Sequence, residues 1–150
     1  MKCRHCGQPL HLPFLDLGSA PPSNAYLSEA ALRAPEVWFP LRVLVCTHCW
    51  LVQTEDHAGR EALFTNQYAY FSSYSTSWLE HARAYVQAMQ DRLGLNADSC
   101  MVEVACNDGY LLQYAQAAGI PCYGIEPTTS TATAARALGL EVVERFFGVE

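Results

Sequence analysis

Two C-x-x-C pairs, Cys3-Arg4-His5-Cys6 and Cys46-Thr47-His48-Cys49, constrain the fold of this chain more than any other feature. Two residues between thiolates let a tight turn aim both sulfurs at one ion. Two such turns complete the tetrahedral four-cysteine set that zinc prefers in closed structural sites. The first pair has no strand before it, which a thioredoxin-like redox motif would need. Gly7 and Trp50 stand where haem attachment through C-x-x-C-H requires histidine. Cys3, Cys6, Cys46 and Cys49 are therefore the expected zinc ligands, with His5 and His48 as second choices facing solvent. A set with no open coordination position is structural and supplies folding energy.

The segment between the pairs explains why such a staple is needed. It is rich in turn residues (Gly7, Pro9, Pro13, Gly18, Pro21, Pro22, Asn24, Pro35, Pro40), with short apolar runs at Phe14-Leu15-Asp16-Leu17 and Leu41-Arg42-Val43-Leu44-Val45. These read as strands, the second alternating as a half-buried hairpin arm does. Residues 1–60 thus form a small α+β zinc-binding domain whose core is too thin to stand alone.

Residues 61–98 read as an aromatic, hydroxyl-rich stretch (Tyr68 to Ser75) followed by a linking helix. Leu79, Ala82, Val86, Met89 and Leu93 recur at spacings of three and four. Ser77 and Glu80 form a capping-box pattern at its start, and Gly94 is a stop.

From residue 99 the texture alternates. Met101–Ala105, Cys122–Glu126 and Glu141–Phe146 read as strands; Tyr110–Ala118 and Ser130–Leu138 read as helices stopped by Gly119 and Gly139. A β-α-β-α-β order predicts a parallel sheet, here the first half of a Rossmann-like α/β domain over residues 99–150. The turn after the first strand, Glu103-x-Ala105-x-Asn107-Asp108-Gly109, lacks the three glycines of a dinucleotide fingerprint. It keeps an acidic-x-small-x-x-x-Gly pattern at a helix N-terminus, where the backbone can approach a ligand closely. Glu126, at the end of the second strand, is placed to accept hydrogen bonds from ribose hydroxyls. Cys106, Cys122 and Cys100 read as structural cysteines.

The chain has 150 residues, 9 Lys+Arg and 15 Asp+Glu, a formal charge of −6, and is 51% hydrophobic. The acidic balance excludes an electrostatic nucleic-acid binder, which would carry a basic stripe. No apolar run approaches a membrane span and no h-region opens the chain, so the expectation is a cytoplasmic protein. In that reducing setting seven cysteines are poorly explained as disulfides.

Taken in order, several segments resemble the S-adenosylmethionine-dependent sugar C-methyltransferases. They are the two knuckles, Leu15-Asp16-Leu17-Gly18 with Pro22 and Asn24, and Leu51-Val52-Gln53. Tyr68-x-Tyr70-Phe71-Ser72-Ser73, Asn107-Asp108-Gly109-Tyr110-Leu111-Leu112 and Gly124-Ile125-Glu126-Pro127 follow. The turn itself resembles motif I of class I methyltransferases. The resemblance implies S-adenosylmethionine as cofactor, with Glu103, Ala105, Asn107, Asp108, Gly109 and Glu126 at its site. It implies a nucleotide-linked 4-keto deoxysugar as substrate, methylated at C3 through an enolate, with Tyr70 and Tyr68 at the sugar site. It also places the catalytic base after later strands, so the sequence is expected to be the N-terminal portion of a longer enzyme, completed by a C-terminal part. The alternative expectation is a non-catalytic zinc-containing binding module or an inactive fragment.

Overall fold

The computed structural model describes residues 1–66 and 68–148. The chain divides into two compact units, Met1–Leu63 and Phe64–Glu150.

In the first unit β1 (Leu12–Ala20), β2 (Phe39–Val45) and β3 (Val52–Thr54) form an antiparallel sheet in that order. A 3-10 turn (Ala31–Arg33) and a single-turn helix α1 (Arg60–Leu63) complete it. Val45 pairs with both Leu12 and Val52, so β2 is the central strand. The β1 register slips between Asp16 and Ser19. Gly18 there has φ +78 and donates its N–H to Asp16 Oδ1 at 2.8 Å, a local bend that only a glycine adopts without strain. The apolar run at 14–17 forms the expected strand without being buried: Phe14 is 71% exposed and Leu17 60%. The buried core is Cys3, Leu10, Leu44 and Cys46, so two of the four apolar residues are also the proposed ligands. β3 went unread because three residues give no period.

In the second unit β4 (Met101–Val104), β5 (Cys122–Ile125) and β6 (Glu141–Val143) form a parallel sheet in that order. The connecting helices are α3 (Leu112–Ala117) and α4 (Thr129–Ala137), and α2 (Thr76–Leu93) precedes the sheet. The strand–helix alternation thus yields the parallel order it implies. α3 packs on β4 and β5, α4 on β6, and α2 on α3. One core cluster joins Cys106, Leu112, Ala135 and Leu140; a second joins Val86, Ala115 and Ile120. β4 lies at a sheet edge with Val102 and Val104 exposed.

Four local expectations need correction. The N-cap of α2 is Ser75, whose hydroxyl accepts from Trp78 N–H at 3.3 Å; Ser77 is already inside the helix and its hydroxyl pairs with Ser75 instead. Leu93 is exposed because the helix ends there, at Gly94 with φ +65. The third strand stops at Val143, short of Phe146. Cys100 is exposed, since it precedes the strand and not the core. Among the described residues no helix is long and apolar enough to cross a membrane.

Candidate functional site

The four knuckle cysteines converge. Their sulfurs all lie within 4.8 Å of one another, with Cys3–Cys49 at 3.6 Å and Cys6–Cys46 at 3.5 Å. Bonds of ~2.3 Å around a tetrahedral zinc place sulfurs ~3.8 Å apart, so the geometry fits that ion and no disulfide is formed. The two turns repeat each other. Gly7 N–H donates to Cys3 O at 3.0 Å and Trp50 N–H to Cys46 O at 2.9 Å, and both residues adopt positive φ, +72 and +64. Backbone N–H groups of Cys6 and the Gln53 amide hold the Cys3 thiol down at about 5, while burial and the neighbouring sulfurs push Cys49 up to about 12. A dication removes this mutual repulsion. His5 and His48 are exposed and outside the cluster.

Gln53 is a residue the spacing argument missed. It is buried, donates from Nε2 to Cys3 Sγ at 3.3 Å, and accepts Arg4 N–H at 3.0 Å, tying β3 to the first knuckle. The resemblance includes Gln53 in Leu51-Val52-Gln53, but nothing in that segment signals its bond to Cys3.

The second cluster of expected residues gathers at the carboxyl ends of β4 and β5. Ala105, Asn107 and Gly109 all have positive φ (+61, +51, +80), so the β4–α3 turn coils tightly. Ala105 and Cys106 donate their N–H groups to Ile125 O. Glu126 is 4% exposed; its Oε2 accepts Asn107 N–H at 3.0 Å and its Oε1 accepts Thr128 N–H at 3.0 Å and the Thr128 hydroxyl. A cavity of about 420 Å³ opens here, lined by Tyr68, Tyr70, Ala105, Asn107, Tyr110 and Glu126 among others. Glu103, Asp108 and Gly109 do not line it.

Glu103 belongs to β4, and Asp108 and Gly109 to the turn between β4 and α3. Burial raises the Glu103 carboxyl to about 7, helped by the charges of Asp108 and Glu126 and opposed by the Tyr110 hydroxyl. Glu103 Oε2 and Asp108 Oδ1 are buried without a hydrogen-bond partner among the described groups. Cys106, pushed up to about 12 mainly by desolvation, remains a thiol. Because the folded state binds the Glu103 proton more tightly than the unfolded chain, its contribution is present below about pH 4.5 and is lost as pH rises through 7. Glu103→Gln is expected to flatten that decline, on the order of 2–3 kcal/mol, in urea titrations between pH 4.5 and 8; an unchanged slope counts against the burial assignment.

Residues 3–64 match the family described as "Putative zinc binding domain". Over 149 residues, 99% of its length, the chain is 31% identical to C-methyltransferase NovU of Streptomyces niveus. The chain is thus similar to a C-methyltransferase over nearly its whole length. It spans 35% of the length of that curated relative. The zinc reading therefore rests on the matched family and on the converging cysteines together. The relationship runs beyond the zinc module, through the β4–α3 turn and the cleft beside it.

Proposed function

We propose that this chain forms the zinc-stapled module and the cofactor cleft of an S-adenosylmethionine-dependent C-methyltransferase of the class I, Rossmann-like kind. Its substrate is a nucleotide-linked 4-keto deoxysugar, methylated at C3. The observation that carries this is the likeness to a C-methyltransferase over nearly the whole chain, joined to a cavity at the carboxyl ends of parallel strands. Four clustered thiols also support a reducing, cytoplasmic setting.

The donor set suits the cofactor. Two buried acidic oxygens, on Glu103 and Asp108, lack donors, and three carboxyl groups (Glu103, Asp108, Glu126) surround the turn. Such a site favours a cation over an anion. Glu126 accepts three hydrogen bonds, leaving one of its roughly four lone-pair positions for a ribose hydroxyl. Ala105 and Asn107 bring backbone, without bulk, to the cavity wall.

S-adenosylmethionine, when bound, supplies an electrophilic methyl group on a sulfonium. The sugar C3–H bond gives its proton to a base and its electron pair to an enolate. Methyl transfer to C3 would break the carbon–sulfur bond of the sulfonium and release S-adenosylhomocysteine. Tyr70, which lines the cavity, donates from its hydroxyl to the developing enolate oxygen, and Tyr68 lines the same cavity. The base comes from a further part of the enzyme, which completes the cleft.

Calorimetric titration of the zinc-loaded chain tests the reading. Saturable binding of S-adenosylhomocysteine and of a nucleotide-linked 4-keto sugar is expected, with the sugar alone weakened by Tyr70→Phe. Binding of neither ligand by a folded chain would leave a non-catalytic zinc-containing module as the better description.

A further inference from the structure

The side chain of Asn107 faces the tyrosine segment. Its Nδ2 donates to Tyr70 O at 3.0 Å and its Oδ1 accepts Ser72 N–H at 2.9 Å. This is the pair of bonds, two residues apart, that a neighbouring strand makes with one peptide group. Among short side chains only asparagine carries both a donor and an acceptor on one planar amide. Asparagine also tolerates the φ of +51 found here, so two independent demands meet at one position.

Other bonds fix the same stretch. Asp108 Oδ2 accepts Ser73 N–H at 3.1 Å, and Ser130 Oγ donates to Tyr68 O at 3.2 Å. Glu126 in turn pins the Asn107 backbone from the end of β5. Asn107, Asp108 and Ser72 are all at least nine-tenths buried, whereas Tyr70 is 48% exposed and borders the cavity. The Tyr70 ring thus has little packing of its own, and its place depends on its backbone.

We infer that Asn107 is a positioning residue for Tyr70, with Asp108 as a second anchor: the turn that lines the cleft and the tyrosine segment form one body. Ligand occupying the cleft is thereby felt at residues 70–73. The inference rests on the proposed cofactor reading only for this last statement. A tyrosine that donates to a reacting oxygen must be held within a fraction of an ångström, and this amide clamp supplies that restraint.

The test compares the parent chain with Asn107→Gly, which removes the amide without straining the positive φ, and Asn107→Asp, which keeps the acceptor for Ser72 N–H but loses the donor to Tyr70 O. Amide hydrogen exchange and the ¹⁹F resonance of 3-fluorotyrosine at position 70 are read in the zinc-loaded protein. In Asn107→Gly, exchange at Ser72 and Ser73 is expected to speed at least about 10-fold and the Tyr70 resonance to move toward that of free fluorotyrosine, while Val104 and Ile125 amides stay protected. In Asn107→Asp, Ser72 stays slower than in the glycine variant while the Tyr70 resonance still moves. Should the glycine variant unfold, this aspartate pattern decides. Unchanged exchange at Ser72 and Ser73 with an unchanged Tyr70 resonance overturns the inference. Added S-adenosylhomocysteine is expected to slow Ser72 and Ser73 exchange in the parent and not in Asn107→Gly. If it binds neither protein, the cofactor reading fails, while the ligand-free comparison still decides the role of Asn107.

Discussion

Stripping the metal is expected to unfold residues 1–63 cooperatively. The apolar core of this unit consists of Leu10 and Leu44 around Cys3 and Cys46. Burying two leucines contributes about 3–6 kcal/mol. So small a core cannot offset the conformational entropy of ordering the unit, and the sheet has no reserve without its staple. Structural zinc contributes about 10–16 kcal/mol in small modules. Removing the ion also leaves four sulfurs within 4.8 Å with no cation to hold them together, so they take up protons and lose their common tether. Chelator titration followed by hydrogen exchange should show Leu44, Val45 and Trp50 amides losing protection together, with a midpoint set by zinc activity. Cys46→Ser should reproduce the loss and lower the bound zinc below one per chain. Persistent protection of β2 in metal-free protein would refute the structural role.

Alanine at Gly109 or Gly124 is expected to cost about 3 kcal/mol or more, larger than any surface change in the second unit. At Gly109 a Cβ would overlap Leu140 Cδ1 and lie 3.3 Å from Ala135 Cβ, and the φ of +80 adds backbone strain. Overpacking contributes about 1–3 kcal/mol and the left-handed backbone about 1–2. At Gly124 the clash is steric alone. The new Cβ would overlap Cys106 Sγ and lie 2.8 Å from Cys106 Cβ, while Leu112 Cδ1 sits at 3.2 Å. The two sites therefore differ in how they are rescued. Cys106→Ala should recover part of the loss in Gly124→Ala and nothing in Gly109→Ala, since Leu140 makes the clash there. Urea midpoints of the three single variants, the two double variants and the parent decide it, and additive losses at Gly124 and Cys106 would sink the packing argument.

The two glycines also show where sequence reading succeeds. Gly109 belongs to a strand-to-helix turn that pattern alone located, because the alternation from Met101 onward fixes where the turn must fall. The zinc ligands were legible for the same reason: their spacing is a property of a short local turn. Contacts that depend on a distant partner were not. Gln53 meets Cys3 only because β3 folds back on β2, and Asn107 meets Tyr70 across 37 positions. Sequence likeness put Asn107 at a cofactor site, whereas its amide is occupied by the tyrosine segment. Ser77 lost the cap to Ser75 because either hydroxyl could serve and the neighbouring 3-10 turn, Ser72–Tyr74, sets the entry. The exposure of Phe14 and Leu17 was also hidden, since a short apolar run marks a strand and not whether anything covers it.

The four cysteines come from turns on either side of β1 and β2, with Cys49 following Cys6 by 43 residues. During synthesis at about 5–20 residues per second, the first knuckle is therefore complete some 2–9 seconds before its partner exists. Throughout that interval its two thiols are an unfinished chelate, open to oxidants and to whatever metal exchanges fastest. The arrival of Cys49 closes the coordination shell and fixes the β2 strand in the same event. Translation speed, and not affinity alone, thus sets how long the nascent module stays vulnerable to the wrong ion.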